Sequence, residues 1–473
     1  MVSQHFDIVI VGAGISGIDA AYHLGKRLPN KSWAILEGRE RIGGTWDLFR
    51  YPGIRSDSDM YTLGFPFRPW RGDQAIVGGG DIRDYVEDTA REYGIDRHIR
   101  FRHRVTAARW SSADARWTVE AETEEGAHTF TCSFLYLCAG YYDYAGGYRP
   151  SWPGEETFTG RIVHPQHWPD DLDHSGKRVA VIGSGATAVT LVPAMAETAA
   201  HVTMVQRSPS YVVSRPSRDA LAPRIGAALT RAKNVALGSL FFNLARARPA
   251  KTRDKLIAMA KDELPQGYDV ERHFAPRYDP WAQRLCLVPD GDLFKAVREG
   301  RASVATGEIE TFTPTGLRLS GGEEVEADIV VTATGLVVKL MGGVALEVDG
   351  VPADAAGRLV YKGMMLEGVP NLAFAFGYTN ASWTLKCDLS ARYLCRLVRY
   401  MDDRAYRVFM PRVQGAETER LPLLDFSSGY IERAKAVLPA QGAGAPWRVP
   451  QNYFRDVLTL GLGRVTDEAM EFR

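Results

Sequence analysis

Short apolar runs recur along the chain and predict buried parallel strands. These runs are Phe6–Val11, Trp33–Glu37, Phe134–Gly140, Lys177–Ile182, His201–Gln206 and Asp328–Gly335. The first and the fourth lead directly into glycine turns, and after the first turn Ile18–Leu28 continues with good helix formers. This order of strand, turn and helix occurs twice. It predicts an α/β protein built on two Rossmann-like dinucleotide-binding domains.

Three other segments have patterns of their own. Arg102–Trp110 and Trp117–Glu122 look antiparallel and predict a small meander packed on the first nucleotide domain. Residues 219–268 are rich in alanine, leucine and basic residues at helix-like spacing, which predicts a helical insertion. Asp290–Asp292 is predicted to cap a helix that runs to Glu299 and that Gly300 ends.

The domain organisation follows from the strands that end at Gly140 and Gly335, where we expect the chain to cross between the two nucleotide folds. Residues 1–150 are predicted to form the first part of one domain, and residues 331–473 its second part together with a C-terminal segment. Residues 151–330 are predicted to form the other domain, with the helical insertion inside it. A chain of 473 residues is long enough for two or three domains.

The composition narrows the class of protein. Basic and acidic residues balance at 57 each, so no net field attracts nucleic acid. The five cysteines form no C-x-x-C pair, which argues against a redox-active disulfide. The first strand begins by Asp7, which leaves no room for a signal peptide, and no apolar run approaches the roughly 20 residues that span a bilayer. We therefore expect a soluble cytoplasmic protein. The basic excess of the helical insertion predicts a solvated face, with weak contact to an anionic membrane surface as the alternative.

The first glycine turn reads Gly12-Ala-Gly14-Ile-Ser16-Gly17. Gly12 permits the tight turn, Gly14 lets the backbone approach a pyrophosphate, and Gly17 lets the helix pack close to the strand. Glu37 ends the next strand, 20 residues after Gly17. Its carboxylate suits both ribose hydroxyls and would repel a 2′-phosphate, which indicates FAD or NAD rather than NADP.

A second glycine pair, Gly43-Gly44-Thr45-Trp46, favours FAD. It resembles the second flavin-contacting turn of the flavoprotein family that includes glutathione reductase, although alone it could be a plain loop. The predicted FAD-binding residues are Gly12, Gly14, Ser16, Gly17, Glu37, Gly44, Thr45, Trp46, Asp57 and Val105.

The second glycine turn differs at its strand end. After Gly183-Ser184-Gly185, Ala188 takes the place of the third glycine, where a small residue suffices. The following strand ends in Arg207-Ser208, 22 residues after Gly185, where the first fold has an acid. A guanidinium can pair with a 2′-phosphate, so NADPH is predicted, a solvated charge being the alternative. The predicted NADPH-binding residues are Arg55, Gly183, Ser184, Gly185, Ala186, Thr187, Ala188, Arg207 and Ser208.

The linker between the two turns carries the pattern F-x-G-x-x-x-H-x-x-x-W-P. Its residues are Phe158, Gly160, His164, Trp168 and Pro169. The pattern resembles the identifying sequence of type I Baeyer–Villiger monooxygenases, which are class B flavoprotein monooxygenases. Residues 49–61 and 377–386 resemble the branch of that family that contains the ethionamide-activating monooxygenase.

The resemblance implies that NADPH reduces FAD, that reduced flavin and O2 form a C4a-peroxide, and that this peroxide converts ketones into esters or lactones. Sulfides or thioamides are further expected substrates. One alternative is a flavin-containing monooxygenase of sulfur and nitrogen atoms, a class that typically lacks the Trp-Pro ending. An alternative of another class is an NADPH-binding flavoprotein that acts as a sensor, or one that passes electrons to oxygen and releases hydrogen peroxide.

The resemblance also suggests catalytic residues. Arg284 is the first candidate for the cation that stabilises developing negative charge, and Arg301 is the second. Asp57 is predicted to lie near the flavin and to orient Arg284, although an Asx-turn is the plain alternative and spacing alone does not exclude Asp59. Arg55 is expected to contact the nicotinamide half of the cofactor. We expect no metal ion at the site.

Two further segments receive roles from the expected fold. His164 is predicted to couple cofactor binding to domain rotation, with Gly160 as the hinge. Asn380 or Ser382 is predicted to cap a helix whose N-terminus points at the flavin. Trp383 and Asn380 are candidates for the substrate pocket, although a tryptophan here is almost as often simply buried. The physiological substrate and the oligomeric state stay open.

Overall fold

The computed structural model describes residues 4–283, 285–414, 419–424, 426 and 428–473. The strands of its two large sheets are β1 Gln4–Val11, β2 Trp33–Leu36, β3 Ile99–Arg100, β4 Arg104–Ser111, β5 Arg116–Thr123, β6 Gly126–Leu137, β7 Arg161–Val163, β8 Arg178–Ile182, β9 His201–Gln206, β10 Ala302–Thr306, β11 Ile329–Thr332, β12 Ala345–Val348, β13 Val351–Pro352 and β14 Leu372–Phe374. The helices are α1 Ile15–Arg27, α2 Thr45–Leu48, α3 Met60–Leu63, α4 Gly79–Glu92, α5 Ala186–Met195, α6 Ala222–Ala247, α7 Pro249–Asp262, α8 Val270–Phe274, α9 Asp292–Arg298, α10 Trp383–Asp402, α11 Gly429–Ala434 and α12 Tyr453–Asp456.

The first sheet has the order β13-β12-β4-β5-β6-β1-β2-β3, with β14 also paired to β6. Strand β1 lies between β2 and β6 and is parallel to both, and its apolar side chains are buried, as is usual for the strands of a parallel sheet. Strands β4, β5 and β6 form an antiparallel meander. The meander is joined to the sheet through the 12-residue β6, which pairs with β5 and with β1. The predicted antiparallel pairing of Arg102–Trp110 with Trp117–Glu122 is confirmed, and the meander is part of the same sheet because β6 pairs on both sides.

The second sheet has the order β10-β9-β8-β11-β7, and all its pairs are parallel. Helices α5 and α9 pack on one face, where Leu191 and Phe294 join the same apolar core as Val181. On the other face, Phe312 and Leu317 of a small antiparallel sheet pack against Ala180. The second nucleotide turn therefore follows a strand that is covered on both sides.

Helices α1 and α10 cover the first sheet together. Their apolar faces share one core with β1, in which Ile10, Leu24 and Leu394 are almost completely buried. The N-terminus of α10 consequently lies beside the N-terminus of α1, at the carboxyl end of β1. A parallel α/β sheet places its ligands at this edge.

The segment between the two halves of the second sheet is largely helical. It contains α6, α7 and α8, and Gly226 interrupts α6 with non-helical angles. In the part of the chain that the structure describes, no helix has both the length and the hydropathy to span a bilayer. The first sheet draws on residues 4–137 and 345–374, and the second on residues 161–206 and 302–332. The domain boundaries at residues 150 and 330 stay predictions.

Candidate active site

A cavity of about 520 Å³ lies at the carboxyl end of β1. It runs past Glu37 and Val105, along the first glycine turn, and on to Trp383. Thr187, from the second glycine turn, also lines it. The fold therefore places both nucleotide turns on one cavity, although they are separated by most of a domain in sequence.

The first glycine turn is shaped by close backbone approaches. Gly12 has φ +102, a conformation that L side chains rarely adopt. A Cβ on Gly14 would lie 3.5 Å from Cα of Gly44, so the first glycine turn touches the Gly43–Trp46 turn. Helix α1 begins at Ile15 without a side-chain cap, so its first N–H groups point to the place where a pyrophosphate would lie. This cradle fits a dinucleotide.

Glu37 stands where β2 ends, and it is buried. Its Oε2 accepts a hydrogen bond of 2.6 Å from the Ala13 N–H, and its Oε1 accepts one of 2.9 Å from the Arg39 N–H. Burial raises the pKa of Glu37, while these two backbone donors lower it. Each oxygen of a carboxylate can accept more than one hydrogen bond, so ribose hydroxyls can still be recognised.

The Gly43–Trp46 turn closes the other side of the cavity. Gly44, Thr45 and Trp46 all line it, and Thr45 begins α2. Tyr144 also lines this wall, and burial raises its pKa to about 12. The tyrosine hydroxyl therefore keeps its proton and can act as a hydrogen-bond donor.

The second glycine turn is more open than the first. A Cβ on Gly185 would meet nothing within 4 Å, which leaves room for a ligand backbone. Ser184 Oγ donates to the Ser208 carbonyl at 3.1 Å and lies 2.9 Å from the Ser210 hydroxyl. Arg207 is exposed at the end of β9. The predicted Arg207–Ser208 pair thus lies directly beside the turn.

Among the contacts between the first-sheet loops and the second nucleotide fold, two involve side chains that line the larger cavity. Buried Tyr51 lies within hydrogen-bond reach of Thr187, and burial raises the pKa of Tyr51 to about 12. The Arg55 guanidinium donates to the Asp292 carboxylate at 2.5 and 3.3 Å. Burial raises the pKa of Asp292, and Arg55 opposes this rise. Arg55, which lines the cavity, is therefore held at the start of α9.

A smaller cavity of about 180 Å³ adjoins the first. Asp57, Ser58, Leu287 and Ala381 line both cavities and form their junction. Asp59 is different: it caps α3 by accepting from the Thr62 N–H at 3.1 Å, and it accepts from Asn234 at 3.0 Å. Of the two aspartates that spacing left open, only Asp57 lies at the junction.

The first candidate for the catalytic cation, Arg284, lies outside the described residues. Its neighbours Trp281 and Leu285 line the smaller cavity. The second candidate, Arg301, donates to Glu299 at 2.5 Å and to the Ala196 carbonyl at 3.0 Å. Arg301 is not among the residues that line either cavity.

Helix α10 begins at Trp383, whose indole N–H donates to Ser16 Oγ at 2.8 Å. The predicted side-chain cap of this helix was wrong, because both candidate caps bind elsewhere. Ser382 Oγ lies 2.6 Å from the Thr62 hydroxyl, and the Asn380 amide donates to the Gln451 carbonyl at 2.8 Å. The buried Asn380 Oδ1 has no hydrogen-bond partner among the described residues, and Asn380 lines the smaller cavity.

The linker motif lies on the second sheet and lines neither cavity. Phe158 is buried against Phe312, and a Cβ on Gly160 would lie 2.4 Å from the Asp328 carbonyl. His164 Nδ1 accepts from the Gln166 N–H at 3.2 Å. Burial lowers the pKa of His164, so its imidazole is neutral at neutral pH. Trp168 is partly buried against the core of this domain, and Pro169 follows it.

A buried cluster of Asp19, His23 and Asp388 lies between α1 and α10. The His23 Nδ1 accepts from Arg27 at 3.4 Å, so its Nε2 carries the proton that it donates to Asp388 at 2.8 Å. Burial raises the pKa of Asp19 well above its usual range. Burial therefore favours the protonated form of Asp19, while Asp388 is bound to His23.

The sequence prediction missed the tyrosines of the larger cavity, which are Tyr51, Tyr141, Tyr142, Tyr144 and Tyr378. Three of them lie within four residues after Gly140, at the end of a predicted strand. Because ligand-binding residues gather at such strand ends, this position was a usable signal. Tyr51 and Tyr378 carry no comparable signal, since only the folded chain brings them to the cavity.

The chain is similar to known proteins over nearly its full length. Residues 66–255 match the flavin-binding monooxygenase-like family, and residues 10–71 match an NAD(P)-binding Rossmann-like domain. The chain is 52% identical over 479 residues to the FAD-containing monooxygenase EthA of Mycobacterium tuberculosis, covering 99% of this chain and 98% of the relative. EthA of Mycolicibacterium smegmatis is 51% identical over 479 residues, covering 99% and 97%.

Solved structures share the fold at low sequence identity. An oxidized steroid monooxygenase bound to NADP has a TM-score of 0.78 and 21% identity, covering 99% of each chain. Cyclohexanone monooxygenase from Rhodococcus sp. Phi1 bound to NADP+ has a TM-score of 0.79 and 19% identity, covering 100% of each chain. These structures confirm the fold class predicted from the sequence. On its identity to EthA over nearly its whole length, the chain belongs to the family of FAD-containing monooxygenases.

Proposed function

We propose that this FAD-containing monooxygenase consumes NADPH and inserts one oxygen atom from O2 beside the carbonyl carbon of ketones. The products would be esters or lactones, and oxidation of sulfides or thioamides would be a further activity of the same site. One observation carries the proposal: residues of both predicted nucleotide turns line one cavity, and a smaller cavity adjoins it at Asp57. The Trp168–Pro169 ending of the linker favours ketone oxidation over a pure heteroatom oxygenase.

NADPH would supply the hydride and bound flavin would supply the activation of oxygen. The protein holds the reacting groups and stabilises charge. Asp57 lies where the two cavities meet and is proposed to orient Arg284. A guanidinium stays cationic at any working pH, so Arg284 would stabilise the negative charge that develops on the ketone oxygen.

The smaller cavity, proposed here for the substrate, has both polar and apolar walls, and Arg215 is among its polar residues. Its walls include Trp281, Leu285 and Phe242, and the unpartnered Asn380 Oδ1 is the buried acceptor beside them. The apolar part of this wall suits the hydrophobic part of a ketone or sulfide. His164 takes no part in proton transfer in this proposal, because it lines neither cavity.

The function is tested by product analysis with gas chromatography and mass spectrometry. FAD-loaded enzyme receives NADPH, air and a mixed panel of linear, aryl and cyclic ketones with one aryl sulfide. We expect esters or lactones that carry one added oxygen atom. Sulfoxide as the only product would transfer the assignment to heteroatom oxygenation, and NADPH consumption that yields only hydrogen peroxide would favour a peroxide-leaking flavoprotein.

The same assay tests the proposed role of Asp57. Asp57→Ala is expected to retain FAD while losing product formation by about 100-fold, the usual cost of removing an electrostatic contribution in an active site. Ser58→Ala is the matched control, because Ser58 lines the same junction without a charge. Equal loss in both variants would indicate a damaged loop instead of a specific role for the carboxylate.

Replacing Arg207 tests the NADPH assignment. Arg207→Ala is expected to raise the KM for NADPH roughly 10- to 100-fold, since a charge-assisted hydrogen bond contributes about 1.5–3 kcal/mol. The KM for NADH should hardly change, and more hydrogen peroxide should be released per NADPH consumed. Arg116→Ala, an exposed arginine on the first sheet, is the control. Unchanged kinetics with both nucleotides would contradict recognition of a 2′-phosphate by Arg207.

A further inference from the structure

Helix α6 presents an apolar surface to solvent. Leu229, Leu237, Leu240 and Leu244 are 63%, 57%, 55% and 48% exposed, and Phe241 is 40% exposed. The exposed residues from 228 to 244, a stretch that the structure describes throughout, are Ala228, Leu229, Ala232, Ala236, Leu237, Gly238, Leu240, Phe241, Asn243 and Leu244. This uncharged face spans about 25 Å at the usual helical rise. Exposed apolar patches of this kind mark sites of interaction.

The two charged side chains in the same stretch are engaged by the protein. Arg231 Nη1 donates to three carbonyls, those of Tyr61 and Thr62 at 3.0 Å and that of Gly64 at 2.7 Å. Lys233 Nζ lies 2.6 Å from Asp219. A surface helix normally directs its charges to solvent and its leucines to the core. In this stretch of α6 the arrangement is reversed: the two charged side chains bind the protein and the leucines face solvent. These leucines therefore do not contribute to the apolar core.

Basic residues stand at both ends of this apolar face. Arg224 precedes it, Arg246 and Arg248 follow it, and all three are exposed. Helix α6 contains no aspartate or glutamate. An apolar face with cationic ends suits a surface that is apolar inside and anionic at its boundary, which is the chemistry of a bilayer with acidic headgroups.

We infer that the outer face of α6 docks on the surface of an anionic lipid bilayer. The helix would lie in the interface, because no described helix is long and apolar enough to span the membrane. A second copy of the chain is the less favourable occupant: two α6 helices paired antiparallel about a two-fold axis would bring Arg224 of one copy near Arg246 and Arg248 of the other. Like charges placed together disfavour such a pair.

The docking face also borders the smaller cavity. Gly238, Ser239, Phe241 and Phe242 of α6 line that cavity together with Asp57. On the proposed function, on which this step rests, docking would place the substrate cavity against the lipid phase. Substrates of this enzyme would then be ketones or sulfides that partition into membranes, and they would reach the cavity without crossing bulk water.

The test is flotation of the FAD-loaded protein with vesicles of phosphatidylglycerol and phosphatidylethanolamine, and with vesicles of phosphatidylcholine alone. We expect wild-type protein to float with the anionic vesicles and to bind the neutral ones several-fold more weakly, with high salt weakening the anionic binding. The combined variant Leu229→Ser, Leu237→Ser, Leu240→Ser and Leu244→Ser is expected to lose at least tenfold in binding. Val351→Ser with Val437→Ser is the matched control, because these exposed apolar residues lie outside α6.

Two outcomes would overturn the inference. One is wild-type protein that stays unbound with anionic vesicles. The other is sedimentation velocity that shows a wild-type dimer which the serine variant converts to monomer, because a second copy would then cover the face. Flavin absorbance and the thermal midpoint check that the variant is folded. Turnover of a water-soluble ketone without vesicles should be unchanged in the variant. Absence of oxygenated product in every sample would contradict the proposed function, while the flotation result would stand by itself.

Discussion

Gly17→Ala is expected to give a protein that no longer retains FAD and that unfolds at a markedly lower temperature. A Cβ on Gly17 would lie 1.9 Å from the carbonyl oxygen of Gly12 and 3.0 Å from its carbonyl carbon. Both atoms belong to the backbone, so no side-chain movement can relieve the contact. The Gly12 turn cannot yield easily either, because its N–H donates to the Leu36 carbonyl at 2.8 Å. The helix must therefore move away from the strand, which opens the place of the pyrophosphate.

The measurement is the flavin absorbance that remains after desalting, together with the thermal midpoint. Gly25→Ala in the same helix is the control, because its Cβ would make an ordinary contact of 3.6 Å with the Trp33 ring. In a helix interior, alanine should be neutral or stabilising by up to about 1 kcal/mol. Gly185→Ala should keep FAD and weaken NADPH binding alone. No protein atom lies within 4 Å of a Cβ on Gly185, so the added methyl group would occupy only space that is expected to hold NADPH. Stoichiometric FAD in Gly17→Ala would contradict the close-packing argument.

The glycine turns illustrate what the sequence can predict. Strand β1, the turn at Gly12 and the start of α1 depend on neighbouring residues, so a local pattern is enough to locate them. Glu37 lies one strand further along and was placed by the regular length of the unit. The fold class and the two cofactors could be predicted from the sequence for this reason.

Contacts between residues that are distant in sequence could not be predicted from the sequence. No local pattern shows that Tyr51 reaches Thr187, or that β6 joins the meander to the parallel strands. Ser382 was a reasonable helix cap by residue type, but Thr62 binds its hydroxyl instead. Nothing in the sequence indicated that Arg231 of the helical insertion binds three backbone carbonyls, whereas Arg224, Arg246 and Arg248 are exposed. In each case the deciding partner is distant in sequence.

Lys386→Met is expected to destabilise the protein by about 3–5 kcal/mol, the usual cost of breaking a buried ion pair. Lys386 and Asp456 have side chains that are 2% and 3% exposed, and Lys386 Nζ lies 2.7 Å from Asp456 Oδ2. The hydroxyl of the buried Tyr378 donates to the same oxygen at 2.6 Å. Without the ammonium group, the carboxylate would stay buried with only a neutral donor beside it.

Urea denaturation followed by tryptophan fluorescence measures this loss, and Lys435→Met provides the comparison. Lys435 and Glu432 also lie 2.7 Å apart, but they are 50% and 45% exposed, so that variant should change stability by less than about 1 kcal/mol. The double variant Lys386→Met with Asp456→Asn should regain much of the loss, because no unpaired charge is left buried. A loss in the double variant as large as in Lys386→Met would contradict the ion-pair explanation and would assign the effect to packing of the lysine stem. Since Tyr378 lines the larger cavity and Trp383 lies one turn before Lys386, FAD retention should fall together with stability in the single variant.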